Sequence, residues 1–330
     1  MKTPVPDFEQ LLKVLSREKP DRPVLFEFYF NKRLNEKFGS GNPINTFFEL
    51  GYDYAKICVH DLVLPSAEHV RHEGISSISQ NEYLFKNRID FENFPWNDPK
   101  PEVYREKFSE IKHLLPKGGK FINSQPNSIF NSLINGFGYE NLCLLCYDDP
   151  EFIQTLADAV GSRLLQHADI SCSFDTVGAM IINDDWGSGS QTRLTPEQMR
   201  TYLIPWYKKI VEAVHSHGKP AILHSCGNMW ALIDDVCDIC KFDGKHSYED
   251  KVLPVEKAYE LFGNRIAIIG GIDIDFLARK TKEEISARAA ALLEMSGVQG
   301  GYALGSGNSI PEYIPDENFF AMINTAREKN

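Results

Sequence analysis

The chain has 330 residues, of which 42% are hydrophobic and 25% charged, an ordinary globular composition that suffices for one large α/β domain or two smaller ones. The net charge of −11 and the pI near 5.4 argue against a general nucleic-acid or acidic-membrane surface, and the apolar runs are far shorter than the roughly 20 residues that span a bilayer. Because the seven cysteines are odd in number and no secretory hydrophobic region opens the chain, we expect a cytoplasmic protein.

The first half of the chain mixes short helices and strands with a peripheral segment. Residues 1–20 predict a lead-in with a helix over 8–16, and the apolar run at 24–28 predicts a strand. The irregular alternation within 69–95 predicts a small hairpin insertion that covers one end of the domain. The other predictions are an apolar run at 54–59, a helix at 102–115 and a strand at 120–123.

From residue 150 onward, strands and helices alternate. Two capping boxes mark helix starts, one formed by Thr195 with Gln198 and one by Thr281 with Glu284, and Pro205 predicts a break in the first of these helices. The predicted strands are 179–183, 221–224, 241–247, 266–269 and 302–304, and the predicted helices are 151–168, 195–217, 230–240, 255–262, 276–279, 281–296 and 318–327.

This order predicts one α/β domain over 1–330. About eight strands with helices between them, at this length, favour a single (β/α)8 TIM barrel with the additions at 1–20 and 69–95. The rival is a doubly wound open sheet. The sequence contains neither the G-x-G-x-x-G motif nor the Walker loop that such sheets often carry, which lowers that alternative.

Polar side chains follow five consecutive predicted strands, at the edge where a barrel places its chemistry. They are Asp184, Asp185 and Trp186; His224 and Cys226; His246 and Glu249; Asp273 and Asp275; and the loop GSGNS at 305–309. Each has a plainer interpretation. The acids can cap helices, the glycine loop can be a tight turn, and the pairs Cys143/Cys146 and Cys237/Cys240 lie in helical stretches where packing is the ordinary role.

The pair His224 and Cys226 is the most informative of these features. Two residues apart at the end of a strand, the imidazole and the thiol point to the same side, as half of a zinc site requires. A packed histidine beside a core cysteine is the alternative.

Six segments, taken in chain order, resemble the uroporphyrinogen decarboxylase superfamily. They are LSREKPDRPV, NDDWGS, TPEQMRTYLIPWYKKIVEAVHSHGK, ILHSCGN, FGNRIAIIGGID and GGYALGSGNSIPEYIPDENFFAMI. The resemblance implies a (β/α)8 barrel with the active cleft at the carboxyl ends of the strands. The superfamily includes true uroporphyrinogen decarboxylases, which need no metal, and cobalamin-linked methyltransferases.

The resemblance is closer to the methyltransferase branch. Decarboxylases carry an arginine-rich segment after the first strand, where this chain has Lys32 and Arg33 only, and an aspartate to which Asp61 is a loose match. Methyltransferases hold Zn²⁺ through a His-X-Cys pair, matched here by His224 and Cys226, and through a cysteine in the last loop, which GSGNS lacks.

The resemblance therefore needs a substitute for the third zinc ligand. Glu249 is the preferred substitute, and His246 and Asp185 are its rivals.

The function implied is transfer of a methyl group between a small thiol or methylated substrate and a corrinoid. Asp184 or Asp185 would handle a proton or orient a ligand, Trp186 would form an apolar wall, and Ser306 and Asn308 would hold an anionic tail of the substrate. The chain has no D-x-H-x-x-G corrinoid signature, so a separate corrinoid protein would dock at the barrel mouth. The alternatives are a metal-free decarboxylase and a non-catalytic binding paralogue.

Overall fold

The computed structural model describes residues 5–66 and 83–328, and its centre is a seven-stranded sheet. Every pair of neighbouring strands is parallel, and the strands lie in chain order. They are β1 Tyr54–Ile57, β2 Lys120–Ser124, β3 Val177–Asn183, β4 Ala221–His224, β5 Gly244–His246, β6 Ala267–Ile269 and β7 Tyr302–Ala303. A parallel sheet requires a crossover between successive strands, and helices supply most of these connections.

The segment 24–28 contacts residues at both edges of this sheet. Its Leu25 forms a single parallel bridge with Leu304, next to β7, and the Tyr54 hydroxyl on β1 contacts the backbone of Glu27 on the other side. The sheet therefore curls as in a TIM barrel, which confirms the predicted fold class at that level. Pairing of 24–28 is limited to this one bridge, so the described sheet has seven strands where the sequence predicts eight.

Helices surround the sheet. They are Phe8–Leu15, Lys32–Gly39, Pro43–Glu49, Arg88–Glu92, Pro101–Ile111, Ile129–Phe137, Tyr139–Asp148, Pro150–Cys172, Pro196–Tyr202, Ile204–Ser216, Val255–Phe262, Ile274–Arg279, Lys282–Ser296 and Asp316–Arg327, with 3-10 turns at Lys112–Leu114 and Trp230–Leu232 and a π-helical turn at Asp235–Cys240. None of the helices in the described ranges is both long enough and apolar enough to cross a bilayer.

Local sequence signals located the helix ends well. Both capping boxes form, and Leu203 separates two helices where Pro205 predicts a break. The hairpin predicted within 69–95 lies partly outside the described residues. Its described part, 83–95, contains the helix Arg88–Glu92 instead, because the Asn87 side chain caps the backbone amides of residues 89 and 90.

The strand register determines which side chains share the inner face of the curled sheet. His224 pairs with Asn183 and His246, so these three side chains lie on one face. Two residues before Asn183, Ile181 pairs with Ser124, and two residues before Ser124, Ile122 pairs with Lys56. Because side chains two apart on a strand share a face, Lys56 lies on the same face as His224 and His246. The rings of Phe26 and Phe28 pack against these histidines.

Candidate metal and substrate site

Three potential metal ligands converge at the carboxyl ends of β3 and β4. Asp185, His224 and Cys226 each offer one ligand atom, and these atoms lie within 4.8 Å of one another. The distance between His224 Nε2 and Cys226 Sγ is 3.7 Å. A nitrogen, a sulfur and an oxygen from three side chains form a ligand set typical of catalytic zinc sites, which keep a fourth position for substrate.

A chain of hydrogen bonds orients the His224 ring. His246 Nε2 lies 3.2 Å from the Ser306 carbonyl oxygen, which can only accept, so His246 carries its proton on Nε2. Burial lowers the pKa of His246 to about 3, so its Nδ1 is an acceptor. This Nδ1 accepts the Nδ1–H of His224 over 2.7 Å. The lone pair of neutral His224 is therefore on Nε2, the atom that faces Cys226.

The surroundings of His224 keep its ring neutral. The imidazole is 3% exposed and stacks on Phe28 with the ring centres 3.9 Å apart. Burial lowers the pKa of His224 well below 6.5, and the nearby His246, Lys245 and Lys56 act in the same direction. A neutral imidazole is the form that binds a metal ion.

The Cys226 thiol is held from two sides. Asn308 Nδ2 donates to Sγ over 3.3 Å, and Ser247 Oγ lies 3.7 Å from the same sulfur. The Asp185 carboxylate accepts the backbone N–H of Cys226 over 2.9 Å. Burial, with a further contribution from Asp185, raises the pKa of Cys226 to about 12, so this sulfur keeps its proton until a cation displaces it.

Glu249 has a different position from the one expected of a metal ligand. Its Oε1 accepts the backbone N–H of Gly227 over 2.9 Å, and it is outside the group of three ligand atoms. Gly227 has φ of +73°, and a Cβ there would lie 2.6 Å from the backbone of Gly187. Glu249 therefore fixes the backbone of Gly227 where its loop passes close to the loop that contains Gly187. Asp185 is the acid that faces His224 and Cys226.

Two of the residues after β3 are buried and hold the loop in place. The Asp184 carboxylate accepts from the Tyr207 hydroxyl and from the Phe130 backbone N–H, and burial raises its pKa to about 6. Trp186 is fully buried, and its ring packs against Tyr207. These contacts fix the direction from which Asp185 reaches the site.

Ser306 is joined to a buried acid. Its backbone N–H and its hydroxyl both donate to the Glu27 carboxylate, over 2.8 and 2.7 Å, which ties the segment 24–28 to the loop after β7. Burial raises the pKa of Glu27 to about 8. Ser306 reaches the site through its carbonyl oxygen, which orients His246.

The residues that the decarboxylase alternative would use are engaged elsewhere. Arg33 Nε donates to Asp316 over 2.9 Å, and the Arg33 guanidinium also contacts the backbone of 312 and 314. Lys32 is exposed and lies beside Glu36. Asp61 accepts the backbone N–H of Lys100 over 3.1 Å.

The sequence analysis does not predict that Phe28 and Lys56 lie beside the candidate site. Phe28 carries the stacking surface for His224, and the Lys56 side chain is 4% exposed on the same inner face. The signal was present, because Lys56 is a single charge within the apolar run YAKICV, where a buried strand favours aliphatic residues. The orienting role of His246 needed the three-dimensional contacts.

The geometry defines a TIM-barrel-like α/β protein with a histidine-cysteine-aspartate cluster at the carboxyl end of its sheet. The family model described as uroporphyrinogen decarboxylase (URO-D) matches residues 123–329. The chain therefore belongs to the uroporphyrinogen decarboxylase family, as the resemblance of its segments predicts.

Comparisons with individual proteins agree with this family. The uroporphyrinogen decarboxylase of Azoarcus sp. (strain BH72) is 19% identical over 264 residues, 75% of this chain and 69% of that protein. The uroporphyrinogen decarboxylase of Myxococcus xanthus (strain DK1622) is 23% identical over 206 residues, 60% of this chain and 55% of that protein. A solved structure titled methyltransferase from Methanosarcina mazei has a TM-score of 0.73 at 16% identity, covers 98% and 99% of the two chains, and shares the fold.

Proposed function

We propose that this protein is a zinc-dependent methyltransferase that moves a methyl group between a small thiol or methylated substrate and a corrinoid carried by a separate protein. The observation that carries the proposal is the convergence of Asp185, His224 and Cys226 within 4.8 Å. A solved structure with this fold is titled a methyltransferase, which is consistent with the proposal.

The residues present fit a zinc ion. His224 presents an unprotonated Nε2 toward the Cys226 sulfur, and Asp185 adds an oxygen, so three ligands of the types zinc prefers are already close together. We propose Asp185 as the third ligand in place of Glu249. Zinc bound there would supply Lewis acidity that lowers the pKa of a thiol or polarises a methylated ether or amine.

The chain's own groups would orient the ligands. Ser306 and His246 hold the His224 tautomer, and Asn308 supports the Cys226 sulfur. Asp185 connects to the backbone of Cys226, so it positions this ligand besides offering its own oxygen. Asp184 is assigned the role of fixing the loop, since its Oδ2 accepts from both Tyr207 and Phe130.

Docking of a corrinoid protein at the mouth of an eight-stranded barrel is part of the proposal.

We also propose a cytoplasmic location. All seven cysteines are free, which agrees with a reducing compartment such as the cytoplasm.

A metal-free decarboxylase is the second candidate function, because the two curated relatives carry that name. The engagement of Arg33 with Asp316 and with the backbone of 312 and 314 makes it the weaker candidate.

Elemental analysis of protein purified without added metal tests the zinc proposal. We expect about one zinc per chain, loss of zinc in Asp185→Asn, and retention in Glu249→Gln, the matched control acid. Zinc retained by Asp185→Asn but lost from Glu249→Gln would assign the third ligand to Glu249. Absence of zinc from wild type, even after incubation with the metal, would reject the proposal.

A further inference from the structure

Lys56 is a buried amine that has no hydrogen-bond partner among the described residues. Its side chain is 4% exposed, and its Nζ makes no hydrogen bond with any described residue. It lies 4.1 Å from the centre of the Phe28 ring and 3.3 Å from that of Tyr29. Cation–π contacts with two rings offset only part of the free energy that an ammonium loses when it leaves water.

The second buried lysine, Lys245, shows what a satisfied amine looks like in this protein. Its Nζ donates to the carbonyl oxygens of Ser225 and Ser247. Lys56 has no such acceptor among the described residues, and burial lowers its pKa to about 7. Lys56 therefore differs from Lys245 in having no acceptor among the described residues, which leaves its ammonium able to bind an anion.

Phe28 connects Lys56 to the candidate metal site. The His224 ring stacks on one face of Phe28 at 3.9 Å, so the Lys56 amine, 4.1 Å from the same ring centre, lies over the other face. The amine is therefore within about 8 Å of the His224 ring centre. Both groups lie on the inner face of the sheet, and Tyr29, whose ring lies over the Lys56 amine, is 48% exposed.

We propose that Lys56 binds the anionic group, such as a carboxylate, of the small substrate whose other end reacts at the cluster of Asp185, His224 and Cys226. A carboxylate would give the amine the charge-assisted hydrogen bond that the described residues do not supply. The inference rests on the proposed function for the identity of the reacting end. The anion site itself rests on Lys56, Phe28 and Tyr29.

Two thiols that differ in charge test this assignment. We would measure the Kd of 3-mercaptopropionate and of 3-mercaptopropanamide for the zinc-loaded full chain by calorimetry. We expect wild type to prefer the acid by about tenfold or more and Lys56→Met to bind the two equally, with Lys120→Met as a lysine control that keeps the preference. Equal binding by wild type, or a preference that survives in Lys56→Met, overturns the proposal.

A metal-free measurement separates this proposal from the zinc hypothesis. If zinc or the thiols fail to bind, the proposed function fails, and the anion site is judged on the zinc-free chain. In that chain, the Lys56 ¹³Cε NMR signal is assigned by its absence from the spectrum of Lys56→Met. We expect propionate to shift this signal and propanamide to leave it unchanged. A signal that no concentration of propionate shifts rejects the anion site.

The stability of the variant supplies a final check. Lys56→Met should melt at or above the wild-type temperature, because it replaces a buried amine that no described residue hydrogen-bonds with an apolar side chain of similar length. A lower melting temperature would mean that the amine serves the fold, and would count against a ligand-binding role.

Discussion

Two buried histidine systems of this protein look alike and differ in one respect. At the ends of β4 and β5, His224 and His246 are bonded to each other, and between the helices Pro101–Ile111 and Pro150–Cys172, His167 Nδ1 is bonded to the Tyr104 hydroxyl over 2.7 Å. Burial lowers the pKa of both His246 and His167 to about 3. Burial and neutrality therefore do not distinguish a site from a core.

The difference is what the remaining ring nitrogen faces. His224 Nε2 faces the Cys226 sulfur and the Asp185 carboxylate, whereas His167 Nε2 has no hydrogen-bond partner among the described residues. The candidate site is therefore distinguished from the core by potential metal ligands that converge from separate strand ends.

The largest difference between the two histidine systems is expected in zinc binding. If the zinc proposal holds, His224→Ala should lose all bound zinc, because it removes one of the three proposed ligands, while His167→Gln should keep about one zinc per chain. Elemental analysis of both variants, each checked for folding by circular dichroism, measures this. Equal zinc contents in the two variants would remove the distinction between the two systems.

Acid should destabilise both systems. Their folded-state pKa values of about 3 lie below the ordinary 6.5, so the stability they contribute is complete above pH 6.5 and is lost as the pH falls toward 3. The expected slope is about 1.4 kcal/mol per pH unit for each histidine. Urea unfolding of wild type and His167→Gln between pH 6.5 and 5 measures it.

The difference between those two curves isolates His167. Glu27 and Asp184, whose pKa values are raised, act with the opposite sign and are present in both proteins. Parallel curves would mean that His167 does not titrate as its burial requires.

A smaller effect concerns orientation of the ligand. His246→Gln should weaken zinc binding by about 10- to 100-fold, because the His224 tautomer loses its partner while all three ligands remain. A competition titration with a chromophoric chelator gives the ratio of affinities. An affinity equal to that of wild type would show that His224 needs no support from His246.

The smallest expected effect is on the free energy of unfolding, when the hydrogen bond between Tyr104 and His167 is removed. Tyr104→Phe should lower the free energy of unfolding by about 1 kcal/mol or slightly more, since it leaves His167 Nδ1 without its hydrogen bond, and should leave zinc affinity unchanged. Urea unfolding and the same chelator titration measure the two quantities. Weaker zinc binding in this variant would connect the two systems.

Local patterns predicted much of the fold. The capping boxes at Thr195 and Thr281 and the break at Pro205 depend on neighbouring residues only, and each appears in the structure. The helices Lys32–Gly39, Pro43–Glu49 and Ile129–Phe137 were not predicted. Each is a short helix of nine residues or fewer, a length at which tertiary packing rather than propensity decides the conformation.

Local sequence patterns predict only part of the candidate site. The spacing of His224 and Cys226 predicted a common direction, and their ligand atoms are 3.7 Å apart. Sequence reasoning preferred Glu249 over Asp185 as the third ligand, and no local signal separates two acids that each follow a strand. The choice depends on the close approach of Gly187 to Gly227, which engages Glu249 with the backbone and leaves Asp185 facing the sulfur.

Periodicity and short motifs alone predict the alternation of strands and helices, the family, and the common direction of the His224 and Cys226 side chains. Only the three-dimensional contacts show that His246 orients His224, that Asp185 joins the cluster, and that the buried Lys56 amine has no hydrogen-bond partner in the described part of the chain. The physical reason is that hydrogen bonds and desolvation act between strands far apart in the chain, and only the curled sheet brings them together.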